Sequence, residues 1–381
     1  MRIVVLYFIL GTSLIFAQEN VTQIGLLSNV LNETSGLVFH NDRLITHNDS
    51  GNEAVLFELD STSGEILRTI TVTNAVNVDW EDMTRDDTYF YIGDIGNFNG
   101  DRENLRIYRI LISDFENSDS VTADIIDFTY EDQLDFTTNP NSDWDAEALF
   151  ILDDHLIILT KQWQSNGTTA YSIPVTVGTH LAENIGSFPI GGLVTGTTYN
   201  SAMDVLFICG YSNLLLPFLS RTTNVNLQNI FGDEVIRSAL DIGFAQVEAI
   251  THTGGDTYFF SSENFTRDTP AINTPARLFS FTFANEPEEE EPEDPIENPA
   301  VTNTILRVYK PPGLGVLNYE LETNNTVFGW AIYDALGRTV QLQMAPVSDQ
   351  NTIDISGLTS AVYYLTFFSN NDLISAGFLV D

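Results

Sequence analysis

The sequence predicts an all-β chain: a β-propeller, with five blades counted and a sixth left open, followed by a small β-sandwich. Three observations carry this. Short apolar strands recur in a unit close to the roughly 40 to 50 residues of a propeller blade, helical periodicity is nearly absent, and a second run of alternating strands follows an acidic, proline-bearing stretch.

The chain opens on MRIVVLYFILGTSLIFAQ, where Arg2, an apolar stretch and Ala17 before Gln18 predict a secretory signal peptide over residues 1–17. An uncleaved membrane anchor is the competing reading. The run is short for a span and no other segment approaches about twenty apolar residues, so no transmembrane segment is expected in the mature chain. The charge narrows the partners further. With 53 acidic against 15 basic residues the formal net charge is -38, which repels nucleic acid and attracts cations. At 43% hydrophobic the 381 residues can bury a large core, and the one cysteine, Cys209 in DVLFICG, reads as a buried strand residue.

Residues 18–283 are assigned to the propeller. SGLVFHNDRLITHND recurs in outline as EDMTRDDTYFYIGD, EALFILDDHLIILTK, VTGTTYNSAMDVLFICGY and EAITHTGGDTYFFSSE. Each copy runs from a short strand through an Asp at a turn (Asp42, Asp87, Asp154, Asp204, Asp256) into an apolar or aromatic strand, at intervals of 45, 67, 50 and 52 residues, so one interval carries an insertion. Third strands such as LRIYRI, TAYSIP and ARLFSF and fourth strands such as ILRTITV, DIIDFTY and NIGSFPI complete the units. TQIGLLS, just after the signal peptide, is expected to close the ring against the last blade.

In a blade the start of the innermost strand and the end of its antiparallel neighbour share one face. Two columns therefore meet there. The first reads Ser35, Glu81, Glu147 and Glu248, with Asp79 and Asp145 two residues ahead on the same strand face; the second reads Asp49, Asp94, Lys161, Tyr211 and Glu263. Carboxylates gathered in this way need a cation, shared protons or open solvent. Calcium is the expected cofactor, with Glu81, Glu147 and Glu248 as metal ligands, Asn48, Asn97 and Asn264 as further oxygen donors, and Asp49, Asp94, Lys161, Tyr211 and Glu263 as ligand-binding residues. Acids that only cap turns are the alternative. The five turn aspartates fall at the opposite face and are given no function.

No catalytic residue is assigned. His40, His47, His155, His180 and His252 show neither HExxH nor paired zinc spacing, and GxSxG and Gly-rich nucleotide loops are absent. His47, beside Asp49, is the one histidine placed at the acidic face, either as a loop residue or as a catalytic group.

The stretch SGLVFHNDRLITHNDSGNEAVLFELDSTSGEILRTI, followed by DWEDM, resembles the SdiA-regulated and phytase-like propellers, in which a Ser-Gly-Leu start and a later Asp-x-Glu-Gly-Ile recur. The resemblance covers most of residues 22–283. DWEDM, DAEAL and VEAI carry Asp or Ala where that family often has Gly.

NEPEEEEPEDPIENP, within residues 284–300, is an acidic linker without core-forming residues. Residues 301–381 return to short strands, TILRVYK, LNYELE, FGWAIYDALGRTVQ, NTIDISGL, AVYYLTFF and ISAGFLV. IYDALGRTV (Ile332 to Val340) and IDISGLTSAVYYLTF (Ile353 to Phe367) resemble the C-terminal sorting domain of the type IX secretion system of Bacteroidetes, although KPPGLG (Lys310 to Gly315) stands where that family has Pro-Asn-Pro. An ordinary adhesive sandwich is the alternative. The resemblance implies that type IX secretion machinery carries the protein from the periplasm to the cell surface or medium.

Two functions follow from the propeller. One is a secreted binding protein whose acidic face holds calcium and an unknown small-molecule or cell-surface ligand. The other is a calcium-dependent hydrolase of phosphoesterase or lactonase type, with one of Glu81, Glu147 or Glu248 as base.

Overall fold

The computed structural model describes residues 21–268, 271–283, 305–311, 315–323, 327–334, 339–344, 351–369 and 373–380. The segments expected to be a signal peptide and an acidic linker lie outside the described residues, as do parts of the KPPGLG and IYDALGRTV segments.

Five inner strands stand side by side: Thr34–His40, Trp80–Arg85, Ala146–Leu152, Leu193–Asn200 and Val247–His252. Each packs beside the next, and the fifth packs against the first, so the ring closes with five blades. Each inner strand pairs antiparallel with a second: Arg43–Asn48, Tyr89–Asp94, His155–Thr160, Val205–Tyr211 and Thr257–Ser262. Third strands and fourth strands extend four of the blades outward in chain order. In the fifth blade the fourth place is taken by Thr22–Leu26, which lies antiparallel to Arg277–Thr282. The N-terminal strand thus closes the ring, as the sequence predicts.

The 67-residue interval holds a short helix, Ile112–Asn117, and a long loop before Asp145. Phe115 of the helix is buried, and the chain after it pairs Ser120–Val121 parallel with the outer strand of the first blade. Likewise the outer strands Asp124–Tyr130 and Gly178–Phe188 pair parallel, which fuses the second and third blades into one eight-stranded sheet. Both pairings cover strand edges that would otherwise offer unpaired N–H and C=O groups.

The core lies between neighbouring blades. Val38, Ile45, Leu56 and Ile70 of the first pack on Trp80, Phe90, Ile92 and Tyr108 of the second, and the pattern repeats around the ring. Cys209 is buried among Val205, Phe207, Leu219 and Val247. At the opposite face from the acidic columns the first and third inner hairpins turn on two residues: Asn41 and Asp42 have φ of 49° and 61°, and Asp153 and Asp154 have 47° and 61°. Asp tolerates this left-handed region and so permits a two-residue turn that matches strand twist.

Beyond the linker, Ile305–Tyr309, Val316–Glu322 and Thr352–Asp354 form one small sheet, and Val327–Asp334, Thr339–Met344, Ala361–Ser369 and Leu373–Val380 form a second. Leu317 and Tyr319 from the first sheet meet Ile332, Leu365 and Phe367 from the second in a shared core, which makes a β-sandwich.

The left-handed turn generates a test. Asp154→Val puts a β-branched side chain at φ 61° and is expected to cost about 1–2 kcal/mol in urea unfolding, whereas Asp154→Gly should stay within about 0.5 kcal/mol of wild type.

Candidate functional site

Every inner strand carries a β-bulge at the same level. Pairing with the second strand skips between Ser35 and Leu37, Trp80 and Met83, Ala146 and Ala148, Val194 and Gly196, and Val247 and Ala249. The skipped residues include Glu81, Glu147, Thr195 and Glu248, and the bulge re-aims them towards the mouth of the ring. In the first blade the skipped residue is Gly36, with φ +50°. A Cβ there would fall 2.4 Å from His47 Nε2 and 2.9 Å from the Met83 nitrogen, so only glycine fits. Neighbouring hydroxyls tie blade to blade: Ser35 Oγ donates to the Glu81 carbonyl, and Thr195 Oγ1 to the Val247 carbonyl.

The position after each bulged residue is small in most blades, but in the second it is Asp82. Its carboxyl is fully buried and accepts N–H groups from Met83 and from Leu149 of the third blade, both at 2.8 Å. The Thr197 N–H of the fourth blade also reaches it. Burial drives its pKa well above the usual range in spite of these donors. Asp82 therefore clamps three blades where the bulges leave backbone N–H groups unpaired.

Above this clamp opens a cavity of about 240 Å³. Glu81, Glu147 and Glu248 enter it from the bulges, Asp79 and Asp145 from two residues earlier, and Asp49 and Glu263 from the ends of second strands. Lys161, Tyr211, Gln246, Trp163 and Phe98 complete much of the wall. The structure thus brings together seven of the eight site residues predicted from the sequence.

Asp94 is the exception, for a reason of register. The N–H groups of Asp49, Ile95, Lys161 and Glu263 donate to the carbonyls of Glu33, Asp79, Asp145 and Gln246, and Tyr211 pairs with Leu193. Ile95, not Asp94, therefore occupies the second blade's place in the column. One residue out of step, Asp94 accepts from Arg102 Nη2 at 2.7 Å and from the Asp79 N–H at 3.1 Å, outside the cavity. His47 is also corrected: it is fully buried, edge-on to Trp80 at 5.4 Å, and burial lowers its pKa to about 4. Asn48, Asn97 and Asn264 do not line the cavity; Asn48 Nδ2 donates to the Val30 carbonyl and the Asn97 N–H to Asp145 Oδ1.

The carboxylates divide into two overlapping groups. Oxygen atoms of Asp49, Asp79 and Glu81 lie within 4.8 Å of one another, and so do those of Glu81, Asp145 and Glu147. Glu248 belongs to neither. The second group is already compensated: Lys161 Nζ donates to both Glu147 oxygens at 2.9 Å, and Trp163 Nε1 donates to Asp145 Oδ2 at 2.7 Å. The first group is not. Asp49 accepts the Ser50 N–H, but no donor among the described residues reaches the Asp79 or Glu81 carboxylate. Gly96 walls this group, since a Cβ there would fall 2.2 Å from Glu81 Oε1 and 2.4 Å from Asp79 Oδ2.

Lys161 also resolves the question its place in the column raised. Its ammonium sits 4.7 Å from the Trp163 ring and 5.3 Å from the Tyr211 ring, and Tyr211 in turn accepts from Gln246 Nε2 at 3.0 Å. It neutralises Glu147 and is not free to hold a phosphate. Burial opposes its charge, but Glu147, Tyr211, Glu248 and Asp145 outweigh burial and keep its pKa well above the usual lysine range.

One ammonium cannot balance so many acids. Burial first, and then like charge, raises Asp79 to about 7 and Glu263 to about 9, and lifts Glu81 well above the usual range. Burial also takes Glu248 to about 7 against the pull of Lys161, and Asp49 to about 6. Without a cation the mouth holds protons.

Sequence reasoning missed Thr195, Trp163, Phe98, Gln246 and Arg102. Thr195 was within reach, because VTGTT aligns with VEAIT and sets Thr195 opposite Glu248. Gln246 was within reach too, two residues ahead of Glu248 as Asp145 is of Glu147, whereas Trp163, Phe98 and Arg102 come from loops whose paths the repeat does not fix.

Comparison with known proteins bears on the two domains unequally. Residues 307–381 match the family model described as the secretion system C-terminal sorting domain. The C-terminal segment is a sorting tail. It implies handling by type IX secretion machinery and export to the cell surface or medium. No curated protein matches the sequence. Solved structures similar to the chain include the β-propeller domain of Cps50 (Swd1) from Myceliophteria thermophila, at 9% identity and a TM-score of 0.36 over 70% of this chain and 100% of that one. Another is XC5397 of Xanthomonas campestris, described as a gluconolactonase, at 8% identity and a TM-score of 0.38 over 69% of this chain and 89% of that one. Among the described residues no helix is long and apolar enough to cross a membrane.

The raised carboxyls fix a pH dependence. Their folded pKa values exceed the unfolded values near 4, so the unfolded state gives up protons first as pH rises and stability falls until the folded values are passed. His47 and His252, both lowered to about 4, act in the opposite sense only below pH 6.5. Metal-free protein should therefore melt at a lower temperature at pH 8.5 than at pH 6.5 in calorimetry; an equal or higher midpoint at pH 8.5 would contradict these assignments.

Proposed function

We propose that the protein is an exported propeller whose acidic mouth binds calcium and, through it, an external ligand. The single observation that carries this reading is the Asp49, Asp79 and Glu81 group. Three carboxylates offer oxygens within 4.8 Å of one another, and Glu81, only 5% exposed, has no hydrogen-bond donor or ion-pair partner among the described residues. An all-oxygen donor set of this charge suits a hard divalent ion, and calcium accepts its irregular geometry more readily than magnesium does. Asp49, Asp79 and Glu81 would hold the ion, which would replace the protons and offer open coordination positions towards solvent. Gln246, the Tyr211 hydroxyl and the rim rings of Phe98 and Trp163 lie around those positions and would orient a ligand of modest size. The likeness of the repeat to SdiA-regulated and phytase-like propellers belongs to this proposal. The hydrolase alternative loses its one candidate anion anchor, because Lys161 is committed to Glu147.

For export, the proposal is that the signal peptide delivers the chain to the periplasm and the sorting tail carries it across the outer membrane. The propeller core closes among residues 22–282 without the sandwich. Deleting residues 301–381 should leave a folded propeller retained in the periplasm, and its normal appearance in the medium would contradict the sorting role.

Calcium at a hundredfold excess over its dissociation constant should stabilise the protein by about 2.7 kcal/mol, seen as a raised thermal midpoint that chelation reverses. Glu81→Gln keeps shape but removes a ligand charge. It should abolish most of the calcium shift while leaving metal-free stability unchanged or raised, since it relieves repulsion. An undiminished calcium shift in Glu81→Gln would remove the site from this group.

A further inference from the structure

We propose that Lys161 is a resident cation standing in the place of a second divalent ion, so that the mouth takes one metal ion although its carboxylates frame two positions. This rests on the cation reading above and adds a stoichiometry and the residue that sets it. The two carboxylate groups share Glu81, which is buried, has no hydrogen-bond donor among the described residues, and offers an oxygen within 4.8 Å of Asp49 and Asp79 in one group and of Asp145 and Glu147 in the other. Each group spans a distance that one ion can bridge. What distinguishes the second group is the ammonium: Lys161 Nζ lies 2.9 Å from both oxygens of Glu147, a bidentate arrangement that a calcium ion also adopts.

The position of Lys161 in the repeat strengthens this. It follows the second strand of the third blade at the place where the first blade has Asp49 and the fifth has Glu263. Those two column members are acids, and Lys161 reverses their sign in the blade that also supplies Asp145 and Glu147. The side chain is 6% exposed and held against the Trp163 and Tyr211 rings, so its charge is delivered to one point. A mobile surface lysine would only screen the acids; this one occupies coordination space.

The test is calcium stoichiometry by equilibrium dialysis at constant pH on the full mature chain, with folding followed by circular dichroism. Wild type should bind one ion in the mouth, and Lys161→Met, which keeps the length of the side chain without its charge, should bind two. The double variant Lys161→Met with Glu147→Gln removes both partners of the pair and should return to one ion. One ion in both wild type and Lys161→Met would overturn the proposal and leave the single-ion reading intact. Two ions in wild type would overturn it as well, and so would a Lys161→Met protein that stays unfolded in calcium. Binding by neither protein would instead sink the cation reading of the mouth.

Discussion

A bulge at one level of all five inner strands frees backbone N–H groups around the propeller axis and, in the same step, turns one side chain per blade towards the mouth. The two consequences cannot be separated. Unpaired N–H groups in a buried channel cost free energy comparable to a lost hydrogen bond, and Asp82 meets that cost for three blades at once. The same distortion that requires Asp82 places Glu81, Glu147, Thr195 and Glu248 on a shared ring. Site and scaffold are thus one feature of the inner strands.

The second constraint is charge. Seven carboxyl groups line the cavity with Lys161 as the one cation among its lining residues. Arg102 is close by but engaged with Asp94 and the Gly96 carbonyl. Desolvation and mutual repulsion make the ionised cluster unfavourable, and the fold answers unevenly: the third blade supplies Lys161 and Trp163 Nε1 to its own acids and the second blade lends Asp145 the Asn97 N–H, while Asp49, Asp79 and Glu81 are left to protons or to an ion from outside. A structural cluster of turn caps would be compensated throughout. On the proposed cation reading, this uneven compensation is what singles out the first and second blades.

Much of this was legible in the sequence because the repeat is short and its chemistry sits at fixed offsets. A turn Asp, an acid at the start of one strand and a polar residue at the end of the next are enough to place Glu81, Glu147, Glu248, Asp49 and Glu263 on one face. Register was legible only up to the bulges. In the second blade the bulge again adds one residue, Glu81 and Asp82 standing opposite Gly93, but Asp94 pairs with Trp80 as Thr160 pairs with Ala146, so the acid of GDIGN falls one residue short of the column in which Asp49 and Lys161 stand. Loop paths were not legible at all: Trp163 reaches Asp145 and Arg102 reaches Asp94 through segments that follow no repeat. His47 was misplaced because it lies within the second strand, paired with Ser35 and packed edge-on to Trp80, whereas Asp49 stands beyond the strand end at the mouth.

The measurement that bears most directly on the cation-binding mouth is a crystal structure of the mature protein grown with calcium, with anomalous scattering used to identify the ion. An ion coordinated by Asp49, Asp79 and Glu81, with Lys161 still bidentate on Glu147, is the predicted result. A mouth with no ion at saturating calcium, its carboxyls paired through shared protons and water, would contradict it.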